Sequence, residues 1–370
     1  MMKKLFIVSA SLLVLASLFL LAYNIAFKKE RTENGSAPEK KAANFSSSEK
    51  KKGIYAVSEE SAMGIFLDSG NEKIKYYSAE NGNVFEVDLD GKNKRIISED
   101  AIVGLEDIKW SPTGDRVISK IGEKYFYYDY KSKKGTGLKS GLDTIAWDNT
   151  GTKIFYKFFE AASGERSINI SNPDGSDWRK LASTGHRDVE IAPVPQTSEV
   201  SFWNSGRQGE ETSLEAVSVN GGEVRKLMSA KKGADYKWSP NGSRAIVGFV
   251  KDGSTSGITT GIINTRGEYV ELGIPTLASK MVWSLDNKHV YYALPSIPQN
   301  STMPDDYKSE KITTADTFWK VNVETGESKR LVELNEITGE YDATNLFLSP
   351  SEIALFFLNR LDGKIYRLDF

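Results

Sequence analysis

The sequence predicts an all-β fold, a seven-bladed β-propeller, from three observations. A hairpin pattern with a tight turn recurs along the chain, and a second hairpin with a Gly-containing turn follows each copy. The two together repeat at a period of about 45 residues over residues 53–370. Two hairpins make four strands, and a four-stranded unit at this period is typical of a propeller blade. Six and eight blades are the alternatives to this count.

The first hairpin is clearest at residues 108–120, which read IKWSPTGDRVISK. A short run ends in Trp110, a Ser-Pro-Thr-Gly turn follows, and an alternating run completes the pattern. We interpret the tryptophans of this pattern as core residues. The further copies lie at residues 144–157, 236–249 and 281–293, with degenerate copies at 64–78, 189–203 and 346–358.

The second hairpin consists of an alternating strand, a turn such as Asp-Gly or Gly-Gly, and a short basic or apolar strand. Such turns between alternating runs are a strong hairpin signal. The copies lie at residues 84–96, 124–138, 167–181, 213–227, 258–272 and 318–332.

The last blade has sequence for only three strands, because the chain ends with KIYRLDF at residues 364–370. A propeller leaves an open sheet edge at its seam unless one blade is built from both termini. We therefore predict that residues 54–57 pair as the outer strand beside residues 364–369.

The copies at Trp110, Trp147 and Trp238 resemble the WD40-like repeats of TolB-type propellers, whose pattern is close to W-S-P-D-G-K-x-I. The resemblance covers about residues 53–370 and implies a propeller that binds a protein partner outside the cytoplasm. TolB carries a separate α/β domain before its propeller, where this chain has a predicted anchor and tether.

Composition narrows the function classes. The 370 residues are 39% hydrophobic, 11% aromatic and 26% charged, with a net charge of −2. A chain so nearly neutral gives no indication of a nucleic-acid partner. The sequence contains no cysteine, which excludes disulfides, thiolate metal sites and cysteine nucleophiles.

The N-terminus predicts membrane attachment. Residues 1–4 are a short basic segment, and residues 5–27 carry no charge; as a helix they would span about 35 Å, enough to cross a bilayer core. We favour an uncleaved single-pass signal-anchor over a cleaved signal or a buried helix, with residues 28–52 as a disordered linker. The propeller is predicted on the extracytoplasmic side, although Lys28, Lys29 and Arg31 keep the opposite orientation open.

Several innermost strands begin near an aspartate, so these carboxylates are predicted to surround one mouth of the channel. Like charges gathered there need a cation or basic partners. One interpretation is a Ca²⁺ or cationic-ligand site, and the other is repeated side-chain bonds to turn amides. The residues are Asp107, Asp143, Asp188, Asp235 and Asp342.

Long loops are predicted on the same face in blades three to six, and the longest spans residues 295–314. Long loops on a rigid scaffold are the usual carriers of recognition. We take this face as the interaction surface for a protein or glycan. The candidate contact residues are Arg207, Glu210, Asp305, Asp306 and Tyr307.

Signals of catalysis are weak. The chain has two histidines, His186 and His289, and no G-x-S-x-G motif. The leading hypothesis is a membrane-anchored, non-enzymatic binding scaffold without a required cofactor. A lyase or hydrolase that uses the channel-mouth carboxylates is the alternative, and a sensor or assembly subunit with a cytoplasmic propeller is the third hypothesis.

Overall fold

The computed structural model describes residues 53–98, 102 and 104–370. All of them belong to the second of two units, Lys51–Phe370. The predicted basic segment, anchor and linker, residues 1–52, lie outside the described residues. Within the described part, none of the helices has the length and hydropathy that a membrane crossing needs.

Seven four-stranded antiparallel sheets make up the propeller. The first three blades each follow the chain directly, with every strand hydrogen-bonded to the next. Blade 1 has β2 (Ala62–Asp68), β3 (Lys73–Ser78), β4 (Val84–Asp88) and β5 (Arg95–Ser98). Blade 2 has β6 (Leu105–Trp110), β7 (Arg116–Ile121), β8 (Lys124–Asp129) and β9 (Lys134–Gly137). Blade 3 has β10 (Leu142–Trp147), β11 (Ile154–Glu160), β12 (Glu165–Ser171) and β13 (Arg179–Ser183).

Blades 4 to 6 repeat the same order. Blade 4 has β14 (Val189–Pro193), β15 (Glu199–Asn204), β16 (Glu211–Ser218) and β17 (Arg225–Lys232). Blade 5 has β18 (Asp235–Trp238), β19 (Arg244–Val250), β20 (Ile258–Asn264) and β21 (Tyr269–Glu271). Blade 6 has β22 (Met281–Trp283), β23 (His289–Ser296), β24 (Ala315–Asn322) and β25 (Ser328–Arg330). The short helices are Ala278–Lys280, Asp305–Lys308 and Leu334–Glu336.

Blade 7 combines both ends of the chain, as the sequence predicts. It contains β26 (Ala343–Leu348), β27 (Ala354–Asn359) and β28 (Ile365–Asp369), and its outer strand is β1 (Gly53–Ala56). β1 runs antiparallel to β28 with Gly53 opposite Asp369. The pairing continues past the strand, because the Val57 N–H donates to the Ile365 carbonyl at 2.8 Å and Val57 is buried.

The repeat tryptophans join each blade to the preceding one. Their rings lie in or against the cores between blades, and each indole N–H finds an acceptor there, as buried Trp requires. The bonds are Trp110 to Gly64 O (2.6 Å), Trp147 to Lys109 O (2.8 Å), Trp238 to Ser201 Oγ (2.8 Å) and Trp283 to Lys237 O (3.0 Å). The tryptophan pattern that marks the repeat therefore also fixes the blade-to-blade packing.

Removal of residues 53–59 tests the seam. The truncated chain leaves the outer edge of β28 unpaired and uncovers the apolar cluster that contains Val57. We expect the melting temperature to fall by at least about 5 °C, since 1 kcal/mol corresponds to a few degrees in a domain of this size. Thermal unfolding followed by circular dichroism measures the change, and removal of residues 46–52 is the control. An equal melting temperature in the two deletions would contradict the closure.

Candidate functional site

The predicted acidic residues occupy the entry of the first strand in several blades. Asp107 and Asp235 lie on β6 and β18, each three residues before the tryptophan that ends the strand. In blade 4, Pro193 takes the place of that tryptophan, so its counterpart is Glu190 on β14. Neighbouring first strands contact each other, as β2 does with β6 and β10 with β14. The carboxylates of Asp235 and Asp107 are also close enough to Glu190 to affect its pKa, so these three side chains lie in one region of the propeller.

Four of the five predicted aspartates, Asp107, Asp143, Asp188 and Asp342, form an ion pair with a lysine or arginine, whereas Asp235 forms none within the described ranges. Asp107 lies 3.5 Å from Lys109, Asp143 lies 2.5 Å from the buried Lys157, and Asp188 lies 3.3 Å from Arg207. No set of three or more His, Cys, Asp or Glu side chains in the described ranges is arranged to hold a metal ion. The repulsion expected of gathered carboxylates is relieved by lysine and arginine from the same or the next blade.

Asp143 shows the effect of its position. Burial raises the pKa of its carboxyl and Lys157 lowers it, while the neighbouring Asp188 carboxylate adds to the upward shift. Lys157 also donates to the Arg187 carbonyl, which fixes the ammonium between blades 3 and 4. The Lys157 side chain is thus buried, whereas the Asp143 side chain is half-exposed.

Asp342 is completely buried in a charge network between blades 6 and 7. The Lys280 ammonium lies 2.8 Å from Asp342 and 2.7 Å from Asp316, and all three side chains have no exposed surface. Burial alone would lower the pKa of Lys280, but the two carboxylates raise it above its usual value. Lys280 stands three residues before Trp283, at the position that Asp107 and Asp235 hold in their blades.

Tyr307 connects this network to the long loop of blade 6, residues 297–314, which we call the blade 6 insertion. Its hydroxyl donates to Asp342 at 2.8 Å. The Arg360 guanidinium lies 3.9 Å from the ring centroid and the Lys280 ammonium 4.8 Å from it. Arg360 also contacts the second oxygen of Asp342 at 3.2 Å. Two cations, two carboxylates and a buried tyrosine therefore fasten the insertion to blade 7.

The same part of the insertion, residues 303–308, is also fastened to blades 4 and 5. The Met303 N–H donates to the Thr255 carbonyl at 2.9 Å, and the Lys308 ammonium donates to the Gly206 carbonyl at 2.7 Å. Asp305 accepts a 2.8 Å bond from the Gln208 backbone N–H. The insertion thus crosses the loop face from blade 7 to blade 4.

The predicted contact residues of this face have different surroundings. Tyr307 is buried, and the Asp305 carboxylate accepts a hydrogen bond from the backbone of the blade 4 loop. Asp306 accepts from the Thr302 N–H at 2.6 Å and so stabilises the turn of its own helix. Arg207 pairs with Asp188, while the Glu210 side chain is exposed.

A cavity of about 310 Å³ opens between the insertion, blade 5 and blade 7. Phe249, Leu277 and Leu358 form apolar walls, and the lining also contains both positively and negatively charged side chains. Cavities of this size with a few converging polar groups are the usual form of small binding sites. The charged lining residues are Asp235, Lys308, Glu310 and Arg360.

Two residues of the candidate site, Glu190 and Lys237, were not predicted from the sequence. Glu190 is exposed to the channel, yet surrounding protein raises the pKa of its carboxyl, with Asp235 and Asp107 adding to the effect and Lys109 and Lys308 opposing it. Alignment of Pro193 with the repeat tryptophans would have revealed Glu190, because it falls at the same offset as Asp107 and Asp235.

Lys237 is the second residue. It lies one position before Trp238 on β18, and its ammonium donates to the Met281 carbonyl at 2.7 Å. Burial lowers the pKa of Lys237 to about 8, and the nearby Asp235 carboxylate only partly opposes the shift. Lys237 therefore releases its proton more readily than an ordinary lysine.

The histidines have carboxylate partners. His186 lies 3.2 Å from Glu215, and His289 lies 2.6 Å from Asp286 in the turn before β23. The turn of His289 is at the end of blade 6 opposite the insertion. The two rings therefore do not meet in one site.

The comparisons with known proteins support the fold. No protein-family model matches the chain, and no curated protein sequence matches it. The propeller is similar to an oligogalacturonate lyase in complex with manganese, with 13% identity, 86% of this chain and 93% of that chain covered, and a TM-score of 0.64. An oligogalacturonate lyase from Vibrio parahaemolyticus gives 13% identity, 87% and 94% coverage, and a TM-score of 0.62. TolB from Acinetobacter baumannii gives 14% identity, 75% and 62% coverage, and a TM-score of 0.46. The likeness to the two lyase structures supports the assignment of the fold as a β-propeller.

Substitution of the buried lysine tests the network between blades 6 and 7. Lys280→Met leaves Asp316 and Asp342 without their shared cation, so the free energy of unfolding should fall by about 3–5 kcal/mol. Urea unfolding measures the change. Lys288→Met, which removes an exposed lysine 3.7 Å from Glu324, is the matched control and should change stability by less than about 1 kcal/mol. Equal losses in the two variants would refute the structural role of Lys280.

A pH series tests whether ionisation of Glu190 destabilises the folded state. The side chain of a glutamate in a peptide has a pKa of about 4.3. The folded state raises the pKa of Glu190 above this value. The unfolded chain therefore ionises first as the pH rises, so ionisation of Glu190 destabilises the folded state. Glu190→Gln should raise the melting temperature at pH 7 and have less effect near pH 4. Glu123→Gln, at an exposed turn, is the control. A lower melting temperature of Glu190→Gln at pH 7 would contradict this assignment.

Proposed function

We propose that this protein is a membrane-anchored, extracytoplasmic binding module that holds a protein or glycan ligand in the cavity below the blade 6 insertion. The observation that carries the proposal is the cavity itself, with apolar walls and charged groups of both signs on its rim. This arrangement suits a ligand that presents both apolar and charged groups.

The rigidity of the cavity supports binding. The helix of the insertion is fastened on one side by the Lys280 network and on the other by the loop of blade 4, and Met303 just before it bonds to the loop of blade 5. A preformed site loses less conformational entropy when a ligand enters, so a larger part of the contact energy remains as affinity. The same contacts keep Lys308 and Arg360 at the rim.

The membrane part of the proposal rests on the sequence. Residues 5–27 are apolar enough to anchor the chain, and the linker would let the propeller stand roughly 25–30 Å from the membrane as a coil. A reporter active only outside the cytoplasm, fused after Phe370, tests the orientation. Activity of the fusion supports an extracytoplasmic propeller, and inactivity of an expressed fusion contradicts it.

A lyase reaction at the channel mouth is the second candidate function, and a single residue favours it. Burial lowers the pKa of Lys237 to about 8, and a lysine with a lowered pKa is a suitable base for removing a proton next to a carbonyl group. Two similar propellers are described as oligogalacturonate lyases. Formation of an unsaturated product from an oligogalacturonate by the purified chain, abolished by Lys237→Met, would replace the binding proposal with this one.

Filling the cavity tests the binding proposal. A photo-crosslinking amino acid at Thr344, a cavity residue, should give specific adducts in intact membranes, whereas the same amino acid at the exposed turn residue Ser351 should not. Adding Ser279→Trp, which fills the cavity, should reduce the Thr344 adducts at least about ten-fold if the indole occupies the ligand volume. Adducts from both positions alike, or adducts that Ser279→Trp leaves unchanged, would contradict the site.

A further inference from the structure

A second cleft lies away from the channel, between blades 1 and 2, and has a volume of about 370 Å³. Its walls are mainly aromatic. Tyr128 and Tyr130 meet edge to face with ring centroids 5.0 Å apart, and the hydroxyls of Tyr77 and Tyr130 lie 2.5 Å apart. Phe126 extends the same wall. Rings held in this way form a rigid surface that can receive another large apolar group.

The composition of β9 explains why this cleft is open. Gly135 lies opposite Tyr128 and Gly137 lies opposite Phe126 in the pairing of β8 with β9. The outermost strands of blades 3 and 4 carry Leu181 and Leu227, which are buried in the cores beside them. All four residues of β9 are exposed. Because glycine has no side chain, the rings of β8 remain uncovered on this face.

β9 is also the edge strand of its sheet. The order of blade 2 is β6-β7-β8-β9, so β9 pairs with β8 on one side only. An edge strand presents a row of backbone N–H and carbonyl groups that a further strand can pair with. Natural edge strands usually carry side chains that hinder such pairing. In β9 the exposed Lys134 is one such side chain at the start of the strand, whereas Gly135 and Gly137 offer none.

The charge around this edge is positive. Lys124 at the start of β8, and Lys133 and Lys134 at the start of β9, are exposed and take part in no ion pair within the described part of the chain. Because β8 and β9 are antiparallel, Lys124 lies at one end of the cleft and the other two lysines lie at the opposite end. Glu123 lies beside Lys124 and Asp129 lies opposite Lys134, but lysines outnumber acidic residues over residues 123–139, so an acidic partner would meet an excess of positive charge.

We propose that β9 receives an extended acidic peptide from a protein partner as a fifth strand, and that a large aromatic side chain of this peptide enters the cleft. Backbone hydrogen bonds to β9 supply affinity in strand addition, and the cleft supplies specificity for the inserted side chain. The site is separate from the cavity at the channel mouth and does not depend on it.

Gly137→Leu is the variant that separates this proposal from folding effects. A Cβ atom at Gly137 would approach Phe126 no closer than 3.7 Å, which is ordinary contact, and its backbone is not left-handed. The leucine side chain therefore fills the cleft without strain. Gly185→Leu is the matched control, because a Cβ atom there meets nothing within 4 Å.

The probe is a labelled seven-residue peptide of alternating glutamate and valine with a central tryptophan, compared with the same peptide carrying a central alanine. Fluorescence anisotropy with the full-length chain measures binding. We expect the tryptophan peptide to bind about ten-fold tighter or more than the alanine peptide. Gly137→Leu should remove this difference and Gly185→Leu should retain it. Added salt should weaken binding, since exposed charges are screened.

Several results would overturn the proposal. Equal affinity of the two peptides, no binding of either, or unchanged binding by Gly137→Leu would exclude the cleft as a receptor for an aromatic side chain. Free indole competing as well as the peptide would indicate a small-molecule pocket without strand addition. Self-association of the chain that Gly137→Leu abolishes would identify a second copy as the occupant. Melting temperatures of both variants confirm that each remains folded.

Discussion

The pairing of β1 with β28 is the constraint on which the rest of the propeller depends. Each of the other blades is a local meander whose strands follow one another in the chain. Blade 7 alone needs a strand from the far end of the sequence, and its cluster with Val57 and Phe356 joins the first blade to the last. Until this contact forms, one sheet edge and one apolar face stay open. The channel and its two mouths exist only in the closed arrangement.

Ion pairs and hydrogen bonds between charged side chains hold the loop face together. The buried charge of Lys280 is tolerated there because it has opposite partners and additional hydrogen bonds. Removing one member is costly, since the remaining charges have no access to water. At Glu190 the balance is different, because burial raises the pKa of the carboxyl, two nearby carboxylates add to the shift, and the lysines oppose it only in part. Such imbalance is common at sites that interact with ligands.

The sequence predicts the blades well because the relevant information is local. The tryptophan, the turn and the alternating run all lie within one hairpin, and the missing strand of the last blade follows from counting. The partners of the acidic residues are not local. Lys280, Asp316, Asp342 and Arg360 meet through two blades and an insertion, and no spacing rule brings them together. Glu190 was hidden for a simpler reason, because proline replaces the tryptophan that marks its blade.

The position of Gly53 opposite Asp369 has a consequence for the architecture as a whole. The two ends of the propeller lie side by side on the outer edge of one blade, so a short linker could join them into a continuous circle. The chain could then be opened at the connection between any two blades while each sheet keeps its four strands. The fold therefore does not depend on which blade comes first along the chain, and any domain attached after Phe370 would emerge beside Gly53.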